Sequence, residues 1–340
     1  MSPAASSPAG SRLRVALFGS PAFAVPTLDA LAERHSLVLV VAQPDKRAGR
    51  GMRVVSPAAA SRARELAVPL EQPARLKGND AFARRLHELE LDVAVTAAYG
   101  KILPAPLLGV PRHGFLNVHA SLLPKYRGAA PVQWALIRGE RETGVSIMQT
   151  DPGLDTGPVC LQRRLPIPEA ATAPELMDSL AGLGAETLLD ALGRLAAGTL
   201  ACQAQDAAAA SLAPMLKRED GRIRWDDPAE AVAARHRGVA GWPGSHFVLA
   251  GASGGTSDGA PVKVLELRLA APAAAGDAAG DATVAGTAAG TVVGVGPEGV
   301  TVRCGRGAVR LAQVQPPGKR AMPARDWANG RGIAPGVRLG

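Results

Sequence analysis

The sequence predicts an α/β domain with a doubly wound, mostly parallel sheet, followed by a smaller all-β domain. Three observations predict it. Short strands that are apolar throughout alternate with helical segments up to about residue 198, which is the mark of a parallel sheet covered on both faces. Beyond that point short β-like runs are separated by glycine, as in a small barrel or sandwich. The length, 340 residues, accommodates two domains of about 100–200 residues each.

The elements follow in order. Residues 13–18 form an apolar run ending at Gly19, a buried strand. Residues 26–34 are helical, with Pro26 in the first turn and Leu28 and Leu31 three apart. Residues 37–42 are a second strand. Residues 56–66 are a helix with Ser56 as N-cap and Pro57 at its first position. Residues 79–89 are another helix, capped by Asn79 or Asp80, and 92–98 are a third strand. Segments 115–119 and 144–149 continue the sheet, with a helix at 129–138 between them. An Ala/Leu-rich helix covers 174–195. The organisation expected is a disordered tail at 1–12, an α/β domain at 13–198, an Ala/Gln-rich linker at 199–215 and a β domain at 216–340. Within the last, the runs 246–249, 262–267, 290–295, 299–303 and 308–314 are strands. Low-complexity stretches at 251–260 and 270–286 are loops between strands.

The formal net charge is +8, compatible with a polyanionic partner but not diagnostic of one. Cys160, Cys202 and Cys304 are far apart and form no zinc-like cluster, so no metal is expected and the thiols are read as inert in a reducing cytoplasm. No stretch approaches the ~20 apolar residues of a membrane span, and the tail has no apolar core of a signal peptide.

Gly19-Ser20-Pro21-Ala22-Phe23-Ala24, after the first strand, lacks the further glycines of a dinucleotide fingerprint. The unusual stretch is 115–128, Phe-Leu-Asn-Val-His-Ala-Ser-Leu-Leu-Pro-Lys-Tyr-Arg-Gly. Asn117 and His119 lie two apart on a strand and leave the same face. Two polar groups on one face of an apolar strand each need a partner if buried. Asp155 belongs to the turn-rich loop 151–158, expected at the same carboxyl edge of the sheet. An Asn–His–Asp set suits acyl-type transfer. An amide and an imidazolium can donate to a developing oxyanion, and a neighbouring carboxylate favours the imidazolium and can take a proton from an attacking amine.

Asn-x-His followed by Ser-Leu-Leu-Pro and Arg-Gly-Ala-Ala-Pro, then Asp-x-Gly-x-Asp-Thr-Gly, resembles the folate-dependent formyltransferases. The resemblance extends through Gln43-Pro44-Asp45, Ala48-Gly49-Arg50-Gly51 and residues 98–104. It continues in residues 217–225, Trp242-Pro243-Gly244 and residues 315–322. It is closest to those members that formylate the methionine carried by initiator tRNA. It implies a Rossmann-like first domain and an OB-like barrel after it, with Asn117, His119 and Asp155 catalytic. Ser121, Leu122, Leu123 and Pro124 would line the folate site. Tyr99, Gly100, Ile102 and Leu103 would form the pterin pocket, with the loop before Asp155 on its other side. The formyl donor implied is 10-formyltetrahydrofolate, and the chain is expected to act as a cytoplasmic monomer without a metal.

Lys46, Arg47, Arg50 and Arg53 follow a single acid, Asp45, in a Gly-containing loop. The resemblance places this loop against the tRNA acceptor stem. Residues 303–340 hold eight basic residues and one acid. Among them, Lys319 and Arg320 are expected to meet RNA phosphates. The alternatives are a formyltransferase with a small acceptor such as an amino-sugar nucleotide or glycinamide ribonucleotide, a formyl-folate hydrolase, and a non-catalytic RNA-binding protein.

Overall fold

The structure, a computed structural model, describes residues 12–48, 53–249, 259–270 and 287–340. It divides into two compact units. The first takes the chain to Pro131, Glu142–Ile167 and Glu175–Pro214; the second takes Val132–Arg141, Pro168–Pro174 and Met215–Gly340.

In the first unit, strands β1 (Arg14–Gly19), β2 (Ser36–Val41), β5 (Leu70–Glu71), β6 (Val93–Ala97), β7 (Phe115–His119), β8 (Glu142–Gln149) and β9 (Val159–Pro166) form one sheet. A separate hairpin pairs β3 (Lys46–Ala48) with β4 (Arg53–Val55). The sheet order is β5-β2-β1-β6-β7-β8-β9, parallel as far as β7 and antiparallel for β8 and β9. All of β6 and all but the first residue of β1 are buried, as a sheet covered on both faces requires. Helices α1 (Val25–Arg34), α2 (Ala58–Glu65), α3 (Asp80–Glu88) and α4 (Ala105–Leu108) lie between the parallel strands in sequence, and the long helix α6 (Ala173–Ala196) follows β9. Phe18 anchors the core, with Phe82, Tyr99 and Phe115 packed edge-to-face on it at 5.2–6.3 Å between ring centres.

Several local expectations change. Ser56 does not cap α2; Pro57 precedes that helix without a side-chain cap, and the Ser56 hydroxyl accepts from Arg64 instead. Asn79 does cap α3, its side chain accepting the Phe82 N–H. The basic loop is in part the β3–β4 hairpin, with Lys46 and Arg47 exposed. Arg50 and the Arg53 side chain lie outside the described residues, as do residues 1–11 and most of 251–260 and 270–286. Residues 199–214, Ala/Gln-rich and read as a linker, run along the loops of the first unit. Gln203 pairs with Val159, and Ser211 and Ala213 pair with Arg127. The Val159–Gln203 pairing sets Cys160 opposite Cys202, and the two are joined by a disulfide. This corrects the expectation of three inert thiols, which only the buried, free Cys304 keeps.

The second unit is an antiparallel sheet of β10 (Ser245–Phe247), β11 (Val262–Leu269), β12 (Val292–Gly296), β13 (Gly299–Arg303) and β14 (Ala308–Gln315), in the order β10-β11-β14-β13-β12, with β15 (Met322–Pro323) beside β14. The path of described strands is open. Helix α5 (Pro131–Ile137) falls mostly in this unit, and α7 (Ala229–Gly238) and α8 (Ala324–Arg331) wholly so. The sequence reading had neither α7 nor α8. Trp225, Phe247 and Trp327 pack edge-to-face in its core.

Candidate active site

Asn117 and His119 sit on the short strand β7, and their side chains do share a face. His119 is only 5% exposed. Across the parallel β6–β7 pair, Thr96 stands beside Asn117, and its hydroxyl donates to Asn117 Oδ1 at 2.7 Å. With its oxygen so occupied, the amide turns its Nδ2 toward Asp155 Oδ1, 3.4 Å away. His119 Nε2 lies 3.0 Å from the carbonyl of Tyr126, and Nδ1 lies 3.7 Å from Asp155 Oδ2. That oxygen also accepts the Gly128 N–H at 2.8 Å. The three side chains singled out from sequence therefore converge.

The route by which Asp155 arrives differs from the expectation. Because β8 runs antiparallel to β7, Gln149 pairs with Leu116. The loop 151–158 thus starts near the amino end of β7, yet Asp155 reaches His119 at that strand's carboxyl end. Asp155 adopts the left-handed backbone region (φ 52°), as does Tyr126 (φ 63°). Such conformations are sparsely populated outside glycine and persist where surrounding contacts hold them.

The Ser121–Pro124 turn is pinned from below. The buried Ser146 hydroxyl donates to the Ser121 carbonyl at 2.7 Å and accepts the Leu123 N–H at 3.0 Å. Gln162 donates to the Leu123 carbonyl at 2.8 Å. Leu123 is core, whereas Leu122 and Pro124 remain half-exposed. Tyr99 and Leu103 are buried in the apolar core. Burial pushes the Tyr99 phenol up to about 12, so the ring stays neutral while it packs on Phe18. The Tyr99 carbonyl accepts from Gln43 Nε2 at 3.0 Å and Ser20 Oγ at 3.4 Å, tying together the turns after β1, β2 and β6. Gly100 and Ile102 are exposed, Ile102 by 85%, and Leu154, beside Asp155, by 62%. A cavity of about 360 Å3 is lined by Leu123, Pro124, Cys160, Gln162 and Gln205 but by none of Asn117, His119 or Asp155.

At the basic hairpin, the Gln72 side chain donates to Asp45 at 2.7 Å and holds its carboxyl below the usual carboxylate range, with help from Ser56 and Arg64. Asp45 is therefore engaged locally, while Lys46 and Arg47 are left exposed. Lys319 and Arg320 are exposed in the turn between β14 and β15. Among the described residues no helix is long and apolar enough to cross a membrane, and no His/Cys/Asp/Glu cluster suits a metal ion.

Sequence reading missed Thr96 and the main-chain groups of Tyr126 and Gly128. Thr96 had a signal, as the one polar residue of an otherwise apolar strand; the main-chain groups had none.

Residues 12–192 match the formyl transferase family, and residues 215–332 match the formyl transferase C-terminal domain. A methionyl-tRNA formyltransferase of Deinococcus radiodurans is 50% identical over 333 residues, covering 96% of this chain and 95% of that protein. One of Thermus thermophilus is 48% identical over 328 residues, covering 96% and 99%. Among solved structures, HypX from Aquifex aeolicus in complex with tetrahydrofolic acid has a TM-score of 0.61 at 17% identity, covering 94% of this chain and 47% of that one. An N-formyltransferase from Helicobacter canadensis, in complex with folinic acid and dTDP-3-aminofucose, has a TM-score of 0.62 at 15% identity, covering 88% and 98%. At such identities the likeness is one of fold.

Proposed function

The chain is a member of the formyl transferase family, and we propose from that premise how its residues carry the reaction. It is an enzyme that transfers a formyl group from 10-formyltetrahydrofolate to the α-amine of methionyl-initiator tRNA, giving formylmethionyl-tRNA for translation initiation. The observation that supports our site assignment is the convergence of Asn117, His119 and Asp155.

In this reading the neutral amine attacks the formyl carbon. The new C–N bond forms as the carbonyl pair moves onto oxygen, and the bond to folate N10 then breaks. The proton lost by the amine ends on N10. Asn117 is suited to the developing oxyanion because Thr96 occupies its amide oxygen and leaves Nδ2 facing the site. His119 Nδ1, too far from Asp155 for a direct hydrogen bond, is the ring atom open to substrate or water. The Asp155 carboxylate, facing Nδ1 across 3.7 Å, passes the amine proton onward, directly or through water.

The donor fits these loops. Ser121, Leu122 and Pro124 offer a pinned turn, and the exposed Ile102 and Leu154 offer apolar surface for a flat heterocycle. Gly100 has no side chain to obstruct it, and the buried Leu123, Tyr99 and Leu103 shape these loops from beneath. Residues 13–198 would form the catalytic domain and 216–340 the tRNA-binding domain. The basic hairpin with Lys46, Arg47, Arg50 and Arg53, and the turn with Lys319 and Arg320, would contact tRNA phosphates. The chain would act as a monomer, and charged tRNA as acceptor supports a cytoplasmic location.

The test is direct. The protein is mixed with 10-formyltetrahydrofolate and either methionyl-initiator or methionyl-elongator tRNA, and formylmethionine is measured. Formylation confined to the initiator is expected. Formylation of an amino-sugar nucleotide, with none of tRNA, would select the small-acceptor reading.

A further inference from the structure

We infer that Gln205, on the segment whose composition reads as a linker, is a positioning residue for Asp155; this rests on the catalytic role proposed above for that carboxylate. Its side-chain amide is fully used. Nε2 donates to the carbonyl of Asp155 at 2.9 Å and to that of Gly157 at 2.7 Å. Oε1 accepts from Arg127 Nε at 3.0 Å and Nη2 at 2.8 Å. An amide has two hydrogens and two lone pairs, so nothing is left over.

The consequence is a closed ring of contacts. Arg127 is the residue between Tyr126, whose carbonyl faces His119, and Gly128, whose N–H faces the Asp155 carboxylate. Gln205 ties the Arg127 side chain to the main chain of Asp155. Asp155 is thus held at its carboxylate by Gly128 and at its carbonyl by Gln205. Its left-handed backbone (φ 52°) is a conformation that needs such outside support. Gln205 is itself held. Two residues earlier, Gln203 and Val159 exchange main-chain hydrogen bonds at 2.8 Å in both directions. Beside that pair the Cys160–Cys202 disulfide joins the segment to β9. Further along, the Ser211 hydroxyl accepts the Tyr126 N–H at 2.9 Å. A flexible connector has no use for this pattern; a brace along the back of the catalytic loops does.

If Gln205 acts through Asp155, its loss matters only while Asp155 is present. The experiment is a double-mutant cycle under single-turnover conditions, with Gln205→Met and Gln205→Glu each made alone and combined with Asp155→Ala. Both replacements keep the side-chain length, and Gln205→Glu also retains a partner for Arg127, so one variant remains informative if the other folds poorly. Each single variant is expected to lower the formylation rate about 10–100-fold, with binding of formyl-folate within about 3-fold of normal and with an altered pH–rate profile. In the Asp155→Ala background the same replacement is expected to change the rate less than about 2-fold. Equal losses in both backgrounds, or no loss in the single variants, would overturn the inference. A nearly normal rate for Asp155→Ala alone would instead overturn the catalytic reading on which it rests.

Discussion

The carbonyl of Tyr126 stands 3.0 Å from Nε2 of His119. A carbonyl only accepts, so Nε2 carries a proton and donates it there. Tyr126 presents this oxygen because its backbone is left-handed (φ 63°). The ring is therefore oriented by main chain, and Nδ1 is the atom directed at Asp155. In the ligand-free protein, nitrogen NMR should find the neutral His119 ring with its proton on Nε2. A neutral form with its proton only on Nδ1 would contradict this orientation.

Asn117 is expected to carry the larger part of the oxyanion stabilisation. Asn117→Ala should lower turnover about 10²–10³-fold, the usual cost of removing one such donor, with folate binding intact. Thr96→Val keeps the volume but removes the hydroxyl that fixes the amide. Loss of one hydrogen bond worth about 0.5–1.5 kcal/mol predicts a decrease of roughly 2–10-fold. A Thr96→Val effect as large as that of Asn117→Ala would show that Thr96 does more than orient the amide.

Gly128 has φ 121°, and a Cβ there would stand 2.7 Å from the carbonyl oxygen of Ala213. The conformation disfavours any side chain, by about 1–3 kcal/mol, and the neighbour is main chain that cannot swing aside. Gly128→Ala should therefore lower the melting temperature by several degrees and also reduce activity, because the Gly128 N–H holds Asp155. Unchanged stability and activity would mean that the 126–130 turn relaxes freely.

The strands of the parallel sheet announce themselves in the sequence because they are apolar throughout, and Asn117 and His119 are conspicuous on such a background. Asp155 was legible as a residue facing His119, but not the path of the loop that carries it. Strand polarity is invisible in an apolar run, so residues 144–149 gave no sign that β8 turns antiparallel and sends the next loop out near the amino end of β7. The Cys160–Cys202 pair and the Gln205 contacts were hidden for another reason. They depend on pairing across 42 to 78 residues, and an Ala/Gln-rich composition says nothing about long-range partners. Helices α7 and α8 were missed because each holds a single large apolar residue, Val232 and Trp327, and so shows no apolar stripe.

Lys319 and Arg320 lie on an exposed turn, so charge reversal there should not disturb the fold. Lys319→Glu with Arg320→Glu, and separately Arg50→Glu, should weaken tRNA binding. Each lost phosphate contact should also flatten the slope of log affinity against log salt by about 0.7–0.9. Affinity for formyl-folate should not change. An unaltered salt slope in both variants would exclude these residues from the RNA interface.

His236, near the end of α7, places Nδ1 2.9 Å from the Ser245 hydroxyl. Burial first, then the Arg237 charge, lower its pKa to about 4 against the opposing pull of Glu266. The native state thus keeps the imidazole neutral, while the unfolded chain binds a proton at an ordinary value near 6.5. Below that value the unfolded state holds more protons than the native one, so stability falls as pH drops from about 6.5 to about 4 and levels off below. A shift of that size corresponds to an upper figure of about 3 kcal/mol at about 1.4 kcal/mol per unit. His236→Gln has no proton to gain in this range. It should cost some stability at pH 7, and its denaturation midpoint should depend less on pH between 6.5 and 4 than that of the natural protein. Parallel pH dependence in the two proteins would show that the acid sensitivity of this unit arises elsewhere.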